Sequence, residues 1–436
     1  MGSLTLARSC NAAARALLLA ALVALSACGD ATAPRAGSAG VTLVFKHAKI
    51  LGRSDPVPGL LARFEASHPG IRVRSEVLPW NADEQHQFLA INLEGGRPGF
   101  DVMMLDVIWV PEFARAGWLL DLTSWVPPAE LAPHFRAAVE AGERGGRLWA
   151  LPWFTNVGVL YYRADLLARH GLRPPGTWDE LVAQVRRIRA AEGDPKLDGV
   201  LWQGKQYEGL VVNALEALWA NGTTVLGADG RVFPDEARAV EALGFLRELV
   251  TSGISPAWVS AADEELSRRP FGQGRAIFLR SWPYAMDLFE QPGSAVRGRV
   301  GIAPLPRHRH GERGAGSTGG AHLGVQRHTA HPEAAAALVR FLASADAQRE
   351  LAAAAALNPT HDRLYDDPDL VRARPYLPGL RELLRLARPR PVTPAYLILS
   401  STLQPELSAV VVGTATPAQA VARARHRLAY FLEGLE

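Results

Sequence analysis

The patterns in this chain that could drive a reaction stand in surroundings that do not suit one. Gly314-Ala315-Gly316-Ser317-Thr318-Gly319 has the literal spacing of a phosphate-cradling loop. It follows the basic run Arg307-His308-Arg309-His310 and leads into a strand-like stretch. A dinucleotide loop needs the opposite context, a strand before it and a helix after it. The segment therefore reads as a crossover loop. His308 and His310 could meet a metal, but no cysteine or acidic cluster at ligand spacing accompanies them, so a solvated basic loop is expected. There is no G-x-S-x-G, H-E-x-x-H or P-loop pattern. No metal and no cofactor are expected. What remains is the chemistry of binding: 11 tryptophans, several at the ends of strand-like runs, and the cations of Lys46-His47-Ala48-Lys49.

The chain has two cysteines, Cys10 and Cys28. Arg8 and Arg15 precede an apolar run from Ala16 to Ala24, which reads as a secretory leader too short to span a bilayer comfortably. Leu25-Ser26-Ala27-Cys28 closes it and resembles a bacterial lipobox. The expectation is a signal peptide over 1–27 and a lipidated Cys28 on a flexible Pro/Gly/Ala tether over 28–40. The protein would then sit as a monomer at the extracytoplasmic face of the cell membrane. With Cys28 at the mature N-terminus no internal disulfide is possible. The formal charge of +3 includes the two leader arginines, and the remaining charge is scattered, so no nucleic-acid surface is expected.

The elements that must position any site alternate. Strand-like runs at 41–45, 71–77, 100–105, 149–152, 157–162, 276–279, 300–306 and 323–325 are separated by helical stretches such as 83–94, 178–192, 207–220 and 235–252. This pattern argues for α/β architecture with parallel sheets. Helical stretches at 332–345, 347–356, 379–387, 401–411 and 417–434 close the chain.

Seven segments, in order, resemble the carbohydrate-type (family 1) solute-binding proteins of bacterial ABC importers. They are Phe64-Glu65 to Val73, Phe100-Asp101-Val102 to Leu122, Leu151-Pro152 to Arg163, Pro175 to Leu181, Trp202 to Leu210, Phe271 to Ile277, and Trp282-Pro283-Tyr284. The stretch from Trp202 to Leu210 looks like the trehalose/maltose-binding branch. The resemblance implies a type II periplasmic-binding-protein-like fold, two α/β lobes with a ligand cleft between them and hinge crossovers joining them. It implies one lobe from 41–153 with about 307–357, and a second from about 154–306 with 358–436.

The resemblance also implies where ligand would be held. Asp106 and Trp109 end a strand of the first lobe, and Trp282 with Tyr284 follows a strand of the second. Trp153, Phe154, Asn156, Glu208, Gly320 and Tyr396 occupy matching segments. Phe154 and Asn156 stand where trehalose/maltose-type members have Tyr-x-Asp. Ala321 and His322 follow Gly320 where a stacking Trp is usual. His86 lies near an expected Arg, and Ala395 takes the place of a polar residue. These departures point to a changed ligand. The implied function is a lipid-anchored subunit that captures a small carbohydrate or glycoside and delivers it to a membrane permease. Lys46, with Arg53, His86 and His322, suggests a second ligand class, an anionic glycoside or glycerophosphodiester. A reading of another class is a secreted glycoside-processing enzyme.

Overall fold

The computed structural model describes residues 40–432, apart from 52, 53, 80, 97, 98, 312, 313 and 315. The leader, Cys28 and Arg53 lie outside the described residues. Among those described, no helix is long and apolar enough to cross a membrane, and no cluster of side chains could hold a metal ion.

The strands are β1 (Val41–His47), β2 (Ile71–Val77), β3 (Val102–Asp106), β4 (Glu143–Arg144), β5 (Arg147–Leu148), β6 (Ala150–Val157), β7 (Val159–Arg163), β8 (Asp198–Leu201), β9 (Ala276–Ser281), β10 (Val300–Ala303) and β11 (Thr318–Val325). Two main sheets result, ordered β2-β1-β3-β11-β6 and β10-β7-β9-β8, with β4 and β5 a small hairpin. Each main sheet anchors one lobe of a two-lobe α/β protein. Near-continuous apolar strands such as Val102-Met103-Met104-Leu105 are buried on both faces by helices.

The sheets are mixed, which corrects the expectation of parallel ones. β1 pairs with β3 and β8 with β9 in parallel, but β11 runs antiparallel to β3 and β6, and β7 antiparallel to β9 and β10. The antiparallel strands are those by which the chain passes between lobes, and these passages do not use a strand-helix-strand return.

Most helices match the sequence pattern because their ends are coded locally. Thr177 caps Trp178–Glu192 through a reciprocal bond with Glu180, and Gly193 ends that helix at φ +64°. Asn81 caps Ala82–Glu94. Two short helices, Val110–Arg115 and Arg136–Gly142, carry too little periodicity to be read from sequence.

Three crossovers join the lobes and are laced together. β6 continues through Val157, so the chain leaves the first sheet at Gly158 rather than at Trp153, and Phe154 and Asn156 stay on the first sheet. Gly158 N–H donates to the Ser317 carbonyl (3.1 Å), Thr318 N–H to Arg388 (2.8 Å), and Arg388 N–H to Gly316 (3.0 Å). Gly316 and Ser317, from the segment with phosphate-cradle spacing, thus belong to the middle strap of this junction and lead into β11. His308 is buried and bonded to Asn221 (2.8 Å), and His310 faces Glu241 (3.3 Å).

A buried ion pair backs the junction. Arg280 donates twice to Glu216, at 2.7 and 2.6 Å, and Glu216 also accepts the Ser317 N–H at 2.8 Å. A Cβ on Gly158 would lie 2.0 Å from Glu216 Oε1 and 2.6 Å from Arg280 Nη2. Gly158→Ala should therefore displace the pair and cost about 3 kcal/mol or more in urea unfolding, the range for disrupting a buried ion pair. A loss under about 1 kcal/mol would show that the junction relaxes freely.

Candidate ligand-binding site

A cavity of about 230 Å³ opens between the two sheets. The first lobe supplies Ala48 to Leu51 after β1, Asn81 and Gln85 at the start of their helix, Asp106 and Trp109 after β3, Phe154 and Asn156 from β6, and Gly319 to Ala321 from β11. The second lobe supplies Tyr207 and Glu208 at a helix start, Asp263 and Glu264 at another, and Trp282 and Tyr284 after β9. Arg390, from the last crossover, completes the wall.

Trp282 is held as a platform. The Arg280 guanidinium lies over its ring at 4.2 Å, and its Nε1–H reaches Glu264 Oε1 at 3.4 Å. Glu264 in turn accepts the Tyr207 hydroxyl at 2.7 Å. Gly319 lies close beneath the indole, and a Cβ there would stand 3.1 Å from the Trp282 ring and press on it. Gly320 sits at φ +116° with its missing Cβ directed 2.3 Å from the Phe154 carbonyl, so only glycine fits. Asn156 accepts from Asn358 Nδ2 at 3.1 Å. The Tyr284 hydroxyl is buried and has no hydrogen-bond partner within the protein.

Arg390 ties the cleft together. It is buried, donates to Asp106 of the first lobe at 2.5 Å, and donates to Glu208 of the second at 2.9 Å. Glu208 also accepts the hydroxyls of Tyr396 (2.7 Å) and Ser400 (2.6 Å). Burial pushes the Glu208 carboxyl above its ordinary range, against the pull of Arg390 and these hydroxyls. Among the described lining residues, the carboxylates Asp106, Glu208, Asp263 and Glu264 outnumber the cations Lys49 and Arg390.

The structure thus gathers Asp106, Trp109, Phe154, Asn156, Glu208, Trp282, Tyr284 and Gly320 around one cavity. Five expected residues do not line it. Lys46 turns along the sheet to Glu76 of β2 and over the Phe88 ring. His86 is buried behind Trp109, with Nε2 at 2.9 Å from Glu112. Trp153 is wholly buried against Phe45 and His47, one residue out of step with the cleft-facing side chains of β6. Tyr396 stands behind Glu208 and orients it. His322 alternates to the far side of β11 from Ala321 and bonds the Ala138 carbonyl at 2.7 Å.

Sequence reasoning missed Arg390, Tyr207, Asp263 and Glu264. Arg390 does carry a signal, an arginine fixed between Pro389 and Pro391. Asp263 and Glu264 sit at a helix start, where Asp263 accepts from the N–H groups of Glu265 and Leu266.

Residues 52–349 match the family described as bacterial extracellular solute-binding protein. The chain belongs to that family. A probable ABC transporter-binding protein of Deinococcus radiodurans is 36% identical over 332 residues, covering 75% of this chain and 78% of that protein. A solved structure of maltose-bound MalE3 from T. maritima superposes with a TM-score of 0.85 at 36% identity, covering 90% of this chain and all of that one. The cyclic α-maltosyl-1,6-maltose binding protein from Arthrobacter globiformis has a TM-score of 0.71 at 25% identity, covering 91% and 100% of the two chains. The family is extracellular and binds solutes for ABC transporters. This chain is accordingly a solute-binding protein and not an enzyme, and the glycoside-processing alternative is set aside.

His322 and His134 give the fold a pH dependence. Burial pushes His322 down to about 4, and burial with the neighbouring His361 pushes His134 down to about 3. An unfolded histidine titrates near 6.5. The unfolded chain therefore binds more protons as pH falls below about 6.5, and stability present at pH 7 is lost toward pH 4. His322 alone accounts for about 3 kcal/mol of this. Urea unfolding at pH 7 and pH 4.5 should show a drop that His322→Gln makes shallower. An equally steep drop in His322→Gln would assign the effect elsewhere.

Proposed function

We propose that this protein is the lipid-anchored receptor of an ABC importer, holding a neutral sugar or polyol between its lobes and presenting it to a membrane permease. One observation carries the choice of ligand class. The cleft combines aromatic faces from Trp109, Phe154, Trp282 and Tyr284 with polar groups whose main cation, Arg390, is already matched by Asp106 and Glu208. Flat apolar faces suit the C–H surface of a sugar ring, and carboxylates and amides suit its hydroxyls. The maltose held by the T. maritima relative agrees with this reading.

The anionic alternative has the weaker support. Three of its proposed cations are engaged elsewhere, Lys46 with Glu76, His86 with Glu112 and His322 with a backbone carbonyl, while Lys49 does line the cleft and Arg53 lies outside the described residues. A phosphate entering the cleft would meet an excess of carboxylates. We take the lobes as those carrying the two main sheets. Cys28 supplies the anchor in this reading, and residues 29–40 supply the reach needed to dock with the permease.

Thermal-shift screening of the mature protein should show neutral disaccharides or hexitols raising the melting temperature by mass action. Stabilisation by glycerophosphodiesters or sugar phosphates alone would overturn the neutral reading. Trp282→Ala should weaken the best neutral ligand by about 2 kcal/mol or more in calorimetry, as expected for a buried stacking anchor. Unchanged affinity would remove Trp282 from the site. Cys28→Ala should shift the protein from the membrane to the soluble fraction of the native cell, and retention in the membrane would refute the anchor.

A further inference from the structure

Asp83 stands in the first turn of the helix Ala82–Glu94, at the rim of the cleft. Its neighbours Asn81, Ala82 and Gln85 line the cavity, and Asp83 itself does not. An acidic side chain in a first turn ordinarily serves its own helix end. Here that end is already served, because Asn81 Oδ1 accepts the Asp83 N–H at 2.8 Å. The Asp83 carboxylate turns instead to the other lobe. Its Oδ2 accepts from Gln404 Nε2 at 3.1 Å, across 321 positions of the chain. The carboxylate also accepts the backbone N–H of Glu208.

The Glu208 N–H needs such a partner. It opens the helix Glu208–Ala220, and the first N–H groups of a helix find no acceptor within it. Tyr207, at the capping position, offers them no side-chain bond. A Ser, Thr, Asp or Asn just ahead of the helix usually does so. Here a carboxylate of the first lobe does it for a helix of the second. Gln404 is anchored to the same helix. It belongs to Tyr396–Val412, which packs on Glu208–Ala220. Its Nε2 also donates to Ser400 Oγ at 3.1 Å, and Ser400 donates to the Glu208 carboxylate at 2.6 Å. Both partners of Asp83 are therefore parts of one packed unit of the second lobe.

Asp83 and Gln404 are half-buried where they meet. Burial raises the Asp83 carboxyl above its ordinary range, against the pull of Gln404, the Glu208 N–H and His86. That is the mark of a carboxylate drawn partly out of water by the lobe opposite. Moving the lobes apart would return Asp83 to solvent and leave the Glu208 N–H uncapped. Both donors are neutral, so an amide oxygen in the same place could accept from them as well.

We infer that Asp83 is the clasp of the cleft, a positioning residue that touches no ligand and holds the second lobe by capping its helix from the first. Its bonds must break before the lobes part, so it slows the escape of whatever the cleft holds. Only the effect on a sugar rests on the reading of the cleft as a sugar site; the clasp does not.

Backbone amide exchange of the mature protein tests the clasp without a ligand. Asp83→Ala should speed exchange at the Glu208 amide about tenfold, the usual scale for a lost helix cap. Asp83→Asn keeps an acceptor oxygen and should restore the rate to within about threefold of wild type, since Asn caps as well as Asp. Gln404→Ala removes the other second-lobe donor and should quicken the same exchange, which keeps the test open should Asp83→Ala not fold. Maltose release, followed by tryptophan fluorescence, should rank the variants in the same order. An unchanged Glu208 rate in the alanine variants overturns the clasp. So does an Asp83→Asn rate equal to that of Asp83→Ala, which would assign the effect to charge alone, or faster exchange along the whole helix, which would be general destabilisation. Equal maltose release from all variants overturns its part in retention. A wild type that shows the exchange pattern and binds no maltose supports the clasp and counts against the sugar reading.

Discussion

A single guanidinium joins the two lobes across the cleft. Arg390 is buried with Asp106 on one side and Glu208 on the other, and these carboxylates belong to different lobes. Removing a charge from water is expensive, and the cost is offset only when partners are close and well directed. Glu208 cannot lose the cation without becoming an uncompensated buried anion, and half-buried Asp106 would lose its ion-pair partner. The polarity of the cleft floor and the position of the last crossover follow from this triad.

The aromatic wall depends on a second constraint of the same kind. Trp282 lies under Arg280, and Arg280 is committed to Glu216, which also grips the backbone of Ser317 in the middle crossover. The stacking platform is therefore fastened to the junction between the lobes. Gly158 is needed because the ion pair occupies the space a side chain would use, and Gly319 lets the chain pass close beneath the indole. Binding surface and junction form one continuous assembly.

Much of this was legible in the sequence where the code is local. The family resemblance, read at strand ends, pointed to Asp106, Trp109, Trp282 and Tyr284, and at a glycine pair to Gly320, and all five line the cavity. The misses arose where the outcome depends on parity or on distant neighbours. Lys46, Trp153 and His322 lie on strands, and alternation along a strand decides whether a side chain meets the cleft or the core. No periodicity near Lys46 announces that Glu76 waits on the adjacent strand. Arg390 escaped notice because its partners are far away in the chain and its own surroundings, two prolines in a crossover, indicate only rigidity. The parallel-sheet expectation failed because the strands that change lobes obey the path of the chain rather than the strand-helix-strand rule.

The triad divides the cleft into positions that are free to evolve and positions that are not. Asp106, Glu208 and Arg390 are coupled, since losing Arg390 strands Glu208 in the interior and losing a carboxylate takes a partner from the buried guanidinium. Phe154 and Ala321 carry no such obligation, and Asn156 is tied only to one neutral amide. They are also where the chain departs from the trehalose/maltose pattern. Drift in what the lineage recognises can proceed through these unburdened sites by single substitutions, while the electrostatic frame is inherited as a block.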